Sequence, residues 1–571
     1  MVGPFFVLAL AMMWVVLAAS LAGLGMLVVR SRSRSTRFSS RQFRQSLWVG
    51  LLLVTVVALL LGIVWPLGSG IALWVLLVLI GFGLLIATWQ MVAAIRQCGS
   101  APSARWWICG VVLGILLLVC AGWALGEPTN YDTGLYHIGA INYARDFPTI
   151  TGLANLHERF GFNSSMWPLS AWLGSLGWAG NEYRLVNGLL LTLLLADAAL
   201  RLVGAKRTPV LPGTVITVLG SILVLGAMAQ YPGRLLASSA QDSAALILGL
   251  VAVAYFSDAM ARRRWWERPE ARAALSVAVI AAISGALMRP LGWVLAAGIW
   301  TVALVVAALG REMLAAARSL APVTVVAVLA GVLMGVRDYI LSGWLLYPAG
   351  LIGFRVEWRY PDPSVSSDRI AAWARTPFQD VQSTLADSSW VGGWLQRLPT
   401  DWSIPALGAL LGLAGLLWWL SRGRRDQWLW RGCVAALAPV ALLLIAWFIT
   451  APDPRFAWAG IVGLGLVPVG FLAQDVPPTR LLFGAGAVLA ALLVLASVRG
   501  SWEAWSWRAV APPTAEIIDG ELDDGTAVVM PTPGDQCWET YPFCRPQYES
   551  PAIERRGTGL ADGFRPIPNA S

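Results

Sequence analysis

The chain has 571 residues, 57% of them hydrophobic and 13% charged, with a mean hydropathy of +0.66. That excludes a soluble domain carrying a single anchor and indicates an integral membrane protein. The formal net charge is +9; membrane topology and attraction to anionic headgroups account for it, so no nucleic-acid partner is implied.

A span takes about 20 mostly apolar residues. In chain order such runs fall at 5–29, 46–66, 70–95, 107–125, 183–203, 210–229, 241–258, 272–288, 291–309, 320–340, 404–420, 432–450, 455–473 and 480–498. The expected fold is therefore an all-α polytopic protein with about fourteen transmembrane helices. The first run is too long, and lacks the basic flank, for a cleavable signal peptide. Segment 166–180 is apolar but short, and reads as an interfacial or re-entrant helix.

Basic loops orient the spans, because positive charge stays cytoplasmic. Residues 30–45 hold six Arg and no acid, 259–272 hold five Arg, and 421–431 hold four. Fourteen spans place all three loops in the cytoplasm and both termini outside, provided 166–180 does not cross. The chain then divides into helices 1–125, an outside loop 126–182, helices 183–340, an outside loop 341–403, helices 404–498 and an outside tail 499–571. The tail mixes β-type runs with turns, so it is expected to form a small irregular α/β cap. Within it, Cys537 and Cys544 close a short loop, and a disulfide there suits an oxidising compartment.

The outside segments concentrate the polar chemistry. The only two histidines, His137 and His157, share the loop 126–165 with Asp132, Glu158 and Arg159. Other outside connections add Arg234, Asp242, Arg289, Arg337, Asp453 and Arg455. Ionisable groups at a membrane suggest function by default. Asp132 is the candidate general base, able to take a proton from an acceptor hydroxyl; its bland alternative is a helix N-cap, and the same holds for Asp242. The arginines suit an anionic ligand, since guanidinium binds phosphate oxygens bidentately. For any one arginine, snorkelling to headgroups is the competing reading. Four of them, Arg234, Arg289, Arg337 and Arg455, lie outside against the positive-inside bias. The two histidines lack close metal-ligand spacing, so no metal site is expected. Trp358, Trp373, Trp390 and Trp394 are outside and either pack or stack on sugars.

The motif NYDTGLYHIGAINYARDFPTITGLANLHERFGFNSSMW and the tail motifs GDQCWETYPFCRP and RRGTGLADGF resemble a bacterial family of GT-C-like membrane proteins. An acid in the first large outside loop, many spans and a C-terminal tail resemble the GT-C superfamily of glycosyltransferases. That resemblance implies a polyprenyl-phosphate-linked sugar as donor. It implies transfer on the outer face of the inner membrane to a glycan, lipid or protein acceptor. Asp132 would be the base, and Tyr136, His137, His157, Arg159, Asp242 and the outside arginines would bind the donor. Many such enzymes carry two adjacent acids here; Asp132 stands between Tyr131 and Thr133, so a divalent cation is not favoured. Two rival readings are an O-antigen ligase or polysaccharide polymerase, and a non-enzymatic transporter of lipid-linked sugars. The first would want His in 341–403, which has none, and the second would want repeated halves, which are not visible.

Overall fold

A computed structural model describes residues 4–31, 39–98, 104–205, 209–420, 427–477, 500–546 and 552–567, with scattered positions from 479 to 491. Apolar runs have no water to bond their backbones, so they satisfy N–H and C=O groups internally as helices. In order these are α1 (Pro4–Ser31), α2 (Ser40–Val64), α3 (Gly70–Cys98) and α4 (Ala104–Ala124). The first large loop forms short helices α5 (Ile138–Asp146), α6 (Leu153–Leu156) and α7 (Met166–Gly174). The bundle resumes with α8 (Leu185–Gly204), α9 (Pro212–Gln230), a short α10 (Pro232–Leu235), α11 (Gln241–Met260), α12 (Pro269–Met288), α13 (Gly292–Leu309) and α14 (Met313–Ser342). The second loop contains strands β1 (Trp344–Leu345) and β2 (Ile352–Gly353) and helices α15 (Ser364–Arg375), α16 (Val381–Ala386) and α17 (Trp390–Arg397). Then come α18 (Ser403–Leu420), α19 (Gln427–Thr450) and α20 (Trp458–Leu472).

Among the described residues, thirteen helices are long and apolar enough to cross a membrane. They match the first thirteen runs read from sequence. The fourteenth, 480–498, lies mostly outside the described residues. The described residues on either side of it sit at opposite ends of the bundle. Gln474 accepts a bond from Val210 N–H at one end (2.7 Å), and Ser501 accepts from the Trp123 indole at the other (3.0 Å).

The ends differ in character. At the basic end, Arg41 and Arg262 both reach Glu270 (3.3 and 3.0 Å), joining two of the Arg-rich loops. Residues 32–38 and 421–426 lie outside the described residues. All large loops gather at the opposite, loop end. Gly152 N–H bonds Ile340 O, Ser165 N–H bonds Leu287 O, and Arg369 pairs with Glu158 at 2.6 Å. Residues 175–180 of segment 166–180 form a partly exposed turn, and Met166–Gly174 a buried helix of nine residues rising about 14 Å, too short to cross. That helix is enclosed by protein and does not lie on the surface: the Trp172 indole donates to Ala72 O at 2.8 Å.

The tail corrects the expected α/β cap. Its described part holds β3 (Ile517–Glu521) antiparallel to β4 (Ala527–Pro531), β5 (Ile553–Arg555) antiparallel to β6 (Phe564–Pro566), and a single 3-10 turn, Leu560–Asp562. The Cys537–Cys544 disulfide is formed.

One buried side chain ties this tail to the bundle. Arg184 precedes α8 and is fully enclosed. Its guanidinium donates to Ala124 O (2.7 Å), to the carbonyls of Gly126 and Val510, and to the Tyr183 hydroxyl (2.6 Å). Each buried acceptor left unbonded costs about 1–3 kcal/mol. Arg184→Met is therefore expected to lower the thermal unfolding midpoint clearly, by the equivalent of about 3 kcal/mol or more. A midpoint within a degree of wild type contradicts the clamp.

Candidate functional site

The site is built on the turn after α4. Asn130 starts it: its side-chain oxygen accepts the Asp132 N–H at 3.0 Å, and its amide donates to Arg234 O at 3.2 Å. Asn favours this because its side chain mimics a backbone turn. Residues Thr133–His137 then form a single π-helical turn, a distortion common at functional sites. Asp132 sits before that turn, yet its carboxylate makes no capping hydrogen bond. The N-cap alternative for Asp132 is thus removed, because Asn130 organises the turn instead. Sequence reasoning passed over Asn130, although Asn two residues before Asp was its signal.

The Asp132 side chain keeps 28% of its surface exposed and points at Arg455, 4.0 Å away. Arg455 lies on the turn between α19 and α20, where Asp453 caps its backbone N–H and pairs with its guanidinium at 3.1 Å. Phe456 is flanked by two cations, Arg289 at 4.0 Å and Arg455 at 5.0 Å from the ring centre. Arg289, at the end of α12, pairs with Asp242 in the first turn of α11. Ala240 is the N-cap of α11, so Asp242 is a counter-ion and not the cap. Arg159 rests over Phe162 at 5.2 Å and beside Glu158 at 3.4 Å, and its charge reaches Asp132. Exposed Arg234, on α10, feels Arg455, Asp453 and Asp132.

These charges set the protonation states. Burial pushes the Asp132 carboxyl up, but Arg455, His137, Arg159 and Arg289 outweigh it, and its pKa falls below the usual carboxylate value. Burial lowers the His137 imidazole to about 4, with Arg289 and Arg455 adding to the effect against Asp132. His137 is therefore neutral near pH 7, a hydrogen-bonding group and not a cation. Its Nδ1 stands 3.3 Å from the Thr133 hydroxyl, which meets Ser238 at 2.7 Å. Burial, then Asp132, raises the pKa of the Tyr136 phenol, whose ring packs edge-on to His137, Phe162 and Trp167.

Six of the residues expected from sequence thus share one field with Asp132: Tyr136, His137, Arg159, Arg234, Arg289 and Arg455, with Asp242 as the counter-ion of Arg289. Two others do not join it. His157 is fully buried and accepts the Arg159 N–H (3.4 Å) to start the 158–161 turn. Arg337 holds Asn163 at 3.1 Å and Thr149 at 2.9 Å, bracing α14 against the loop. The outside tryptophans mostly pack: Trp394 is buried and bonds Pro452 O, Trp390 meets Phe448, and Trp358 is covered by Arg556. No group of three metal-ligating side chains occurs among the described residues.

The model of a domain of unknown function, DUF8201, matches residues 7–462. The chain belongs to the DUF8201 family. The matched stretch holds Asp132 and every arginine of the cluster. No curated protein and no solved structure matches the chain.

Beyond the matched stretch, the tail clamps the π-turn. Gln536 donates to Tyr131 O at 2.8 Å, and Asp535 accepts from the Tyr131 hydroxyl. Trp538 N–H donates to Gly134 O at 2.8 Å, and its indole covers Gly134 so closely that a Cβ would stand 2.5 Å away. Only glycine fits under that ring. Gly134→Val should lift the 535–544 loop, so limited proteolysis of the tail is expected to speed up several-fold. Unchanged protection contradicts the clamp.

Proposed function

We propose that this DUF8201 protein is a GT-C-type glycosyltransferase. It moves a sugar from a polyprenyl-phosphate carrier to an envelope glycan, lipid or protein acceptor. The membrane would be the bacterial inner membrane, with the loop end outside, since the basic loops cluster at the other end. The observation that supports this reading best is one partly exposed carboxylate, Asp132, set among convergent arginines at that end.

Charge matching supports it further. Glu158 is shared by Arg159 and Arg369, so five arginines, Arg159, Arg234, Arg289, Arg369 and Arg455, face four carboxylates, Asp132, Glu158, Asp242 and Asp453, leaving one excess positive charge. A sugar–phosphate–lipid diester carries one negative charge. In the proposed step the acceptor oxygen forms a bond to the anomeric carbon while the bond from that carbon to the phosphate oxygen breaks. The bonding pair goes to the phosphate, which leaves as polyprenyl phosphate, and the acceptor proton goes to Asp132. Arg289 and Arg455 stabilise the charge that develops on the leaving oxygen. A bound phosphate also offsets the field that depresses Asp132, so donor binding makes the carboxylate a better base.

The test supplies purified protein with a panel of polyprenyl-phosphate sugars and reads free polyprenyl phosphate. Asp132→Asn should lower the rate at least ~100-fold, the usual scale of general-base catalysis. Full activity in that variant sinks the assignment. The pH profile adds a signed check, because the base works ionised and fails as pH drops through its pKa. With that pKa below the usual ~3.9, kcat/KM should stay flat from neutrality to about pH 4. Arg455→Gln should move the acid limb upward; a limb that does not move contradicts the electrostatic coupling.

A further inference from the structure

A cavity lies at the loop end, between α5, the turn before α8 and the disulfide-closed loop of the tail. Its volume is about 260 Å³, near the ~300 Å³ at which small-molecule pockets begin. Ile138 and Ile141 form its apolar floor, and Asn142, Glu182, Tyr183, Glu539 and Tyr541 line its walls. The Asn142 side chain is the unexplained group. It is 8% exposed, lines the cavity, and makes no hydrogen bond to any described residue. Its carboxamide is not sealed off: it opens into the cavity, where its two donors and its acceptor are available to a ligand. Gly180, at φ +78°, leaves the mouth open, with nothing within 4 Å of where a Cβ would stand.

The lining selects by charge. Glu182 and Glu539 disfavour an anion, in contrast to the Arg-rich surroundings of Asp132. Arg145, which also lines the cavity, pairs with Glu182 at 3.3 Å and occupies that carboxylate, so little net charge is left to hold a simple cation. What remains is a ligand that offers many hydroxyls and no net charge. A carboxylate accepts from neighbouring hydroxyls, and a carboxamide both donates and accepts.

We propose that this cavity binds an uncharged saccharide, the acceptor end of the reaction, through Asn142, Glu182 and Glu539. The proposal rests on the transferase reading for the word acceptor, but not for the binding itself. The two sites are mechanically joined. Asn142 is five residues beyond His137, about 8 Å along α5. The same disulfide-closed loop that covers Gly134 with Trp538 supplies Glu539 and Tyr541 here. One tail loop thus touches both the turn that follows Asp132 and the wall of the cavity.

The experiment uses the full chain in lipid nanodiscs and titrates maltotriose, mannotriose, arabinotriose and chitotriose by calorimetry. Saturable binding of at least one is expected, weakened at least tenfold by Asn142→Leu and by Glu539→Lys, which sits at the exposed rim. No saturable binding of any of the four, or binding that ignores both lining variants, overturns the proposal. Binding without transfer leaves this site standing and counts against the transferase reading; transfer without this binding counts against this site alone.

Discussion

Four guanidinium groups converge where apolar helices end, and like charges there would push the loops apart if nothing intervened. The Asp132–Arg455 approach, with Asp453 and Asp242 beside it, is what makes the convergence stable. Phe456 adds a ring face between two of the cations. The arrangement does not fully neutralise itself. Its partly exposed carboxylate and excess positive charge stay directed at the space under the loops, and that residual field is what a phosphate-bearing substrate would meet.

Everything around the cluster serves to hold it. Asn130 sets the turn that presents Asp132. Trp538 presses on Gly134, so the π-turn is fixed from above by the tail and from below by α4. Arg184 binds the end of α4 to the first residues after it and to the tail at Val510. The tail is therefore part of the site's scaffold, although its sheets are only two-stranded and too small to stand alone.

The spans and the polar end were legible because lipid imposes a length and an apolar composition on each helix. Asp132, Arg289 and Arg455 were legible because each is an ionisable group at a helix end, where burial has to be justified. The Cys537–Cys544 pairing followed from its short loop. What sequence hid were contacts made across the bundle. Asp197 looks like an isolated acid in α8, yet it accepts from Arg201 at 2.9 Å, from the Trp48 indole at 2.9 Å and from Arg44 at 3.5 Å. Arg201 in turn reaches Asp258 at 2.7 Å. This buried network joins α2, α8 and α11 toward the basic end, so buried charge is not confined to the loop end. Likewise, His157 and Arg337 share their residue types with the site but spend their bonds on bracing loops. Residue type and loop membership alone do not separate these two roles.

The central claim is that the arginines around Asp132 hold a lipid-linked phosphate. The most direct measurement is a cryo-EM structure in nanodiscs loaded with polyprenyl phosphate. The account predicts phosphate density bridging Arg455 and Arg289 next to Phe456, with Asp132 facing the side where a sugar would sit. Phosphate density elsewhere in the protein, or an unoccupied cluster at saturating lipid, contradicts it.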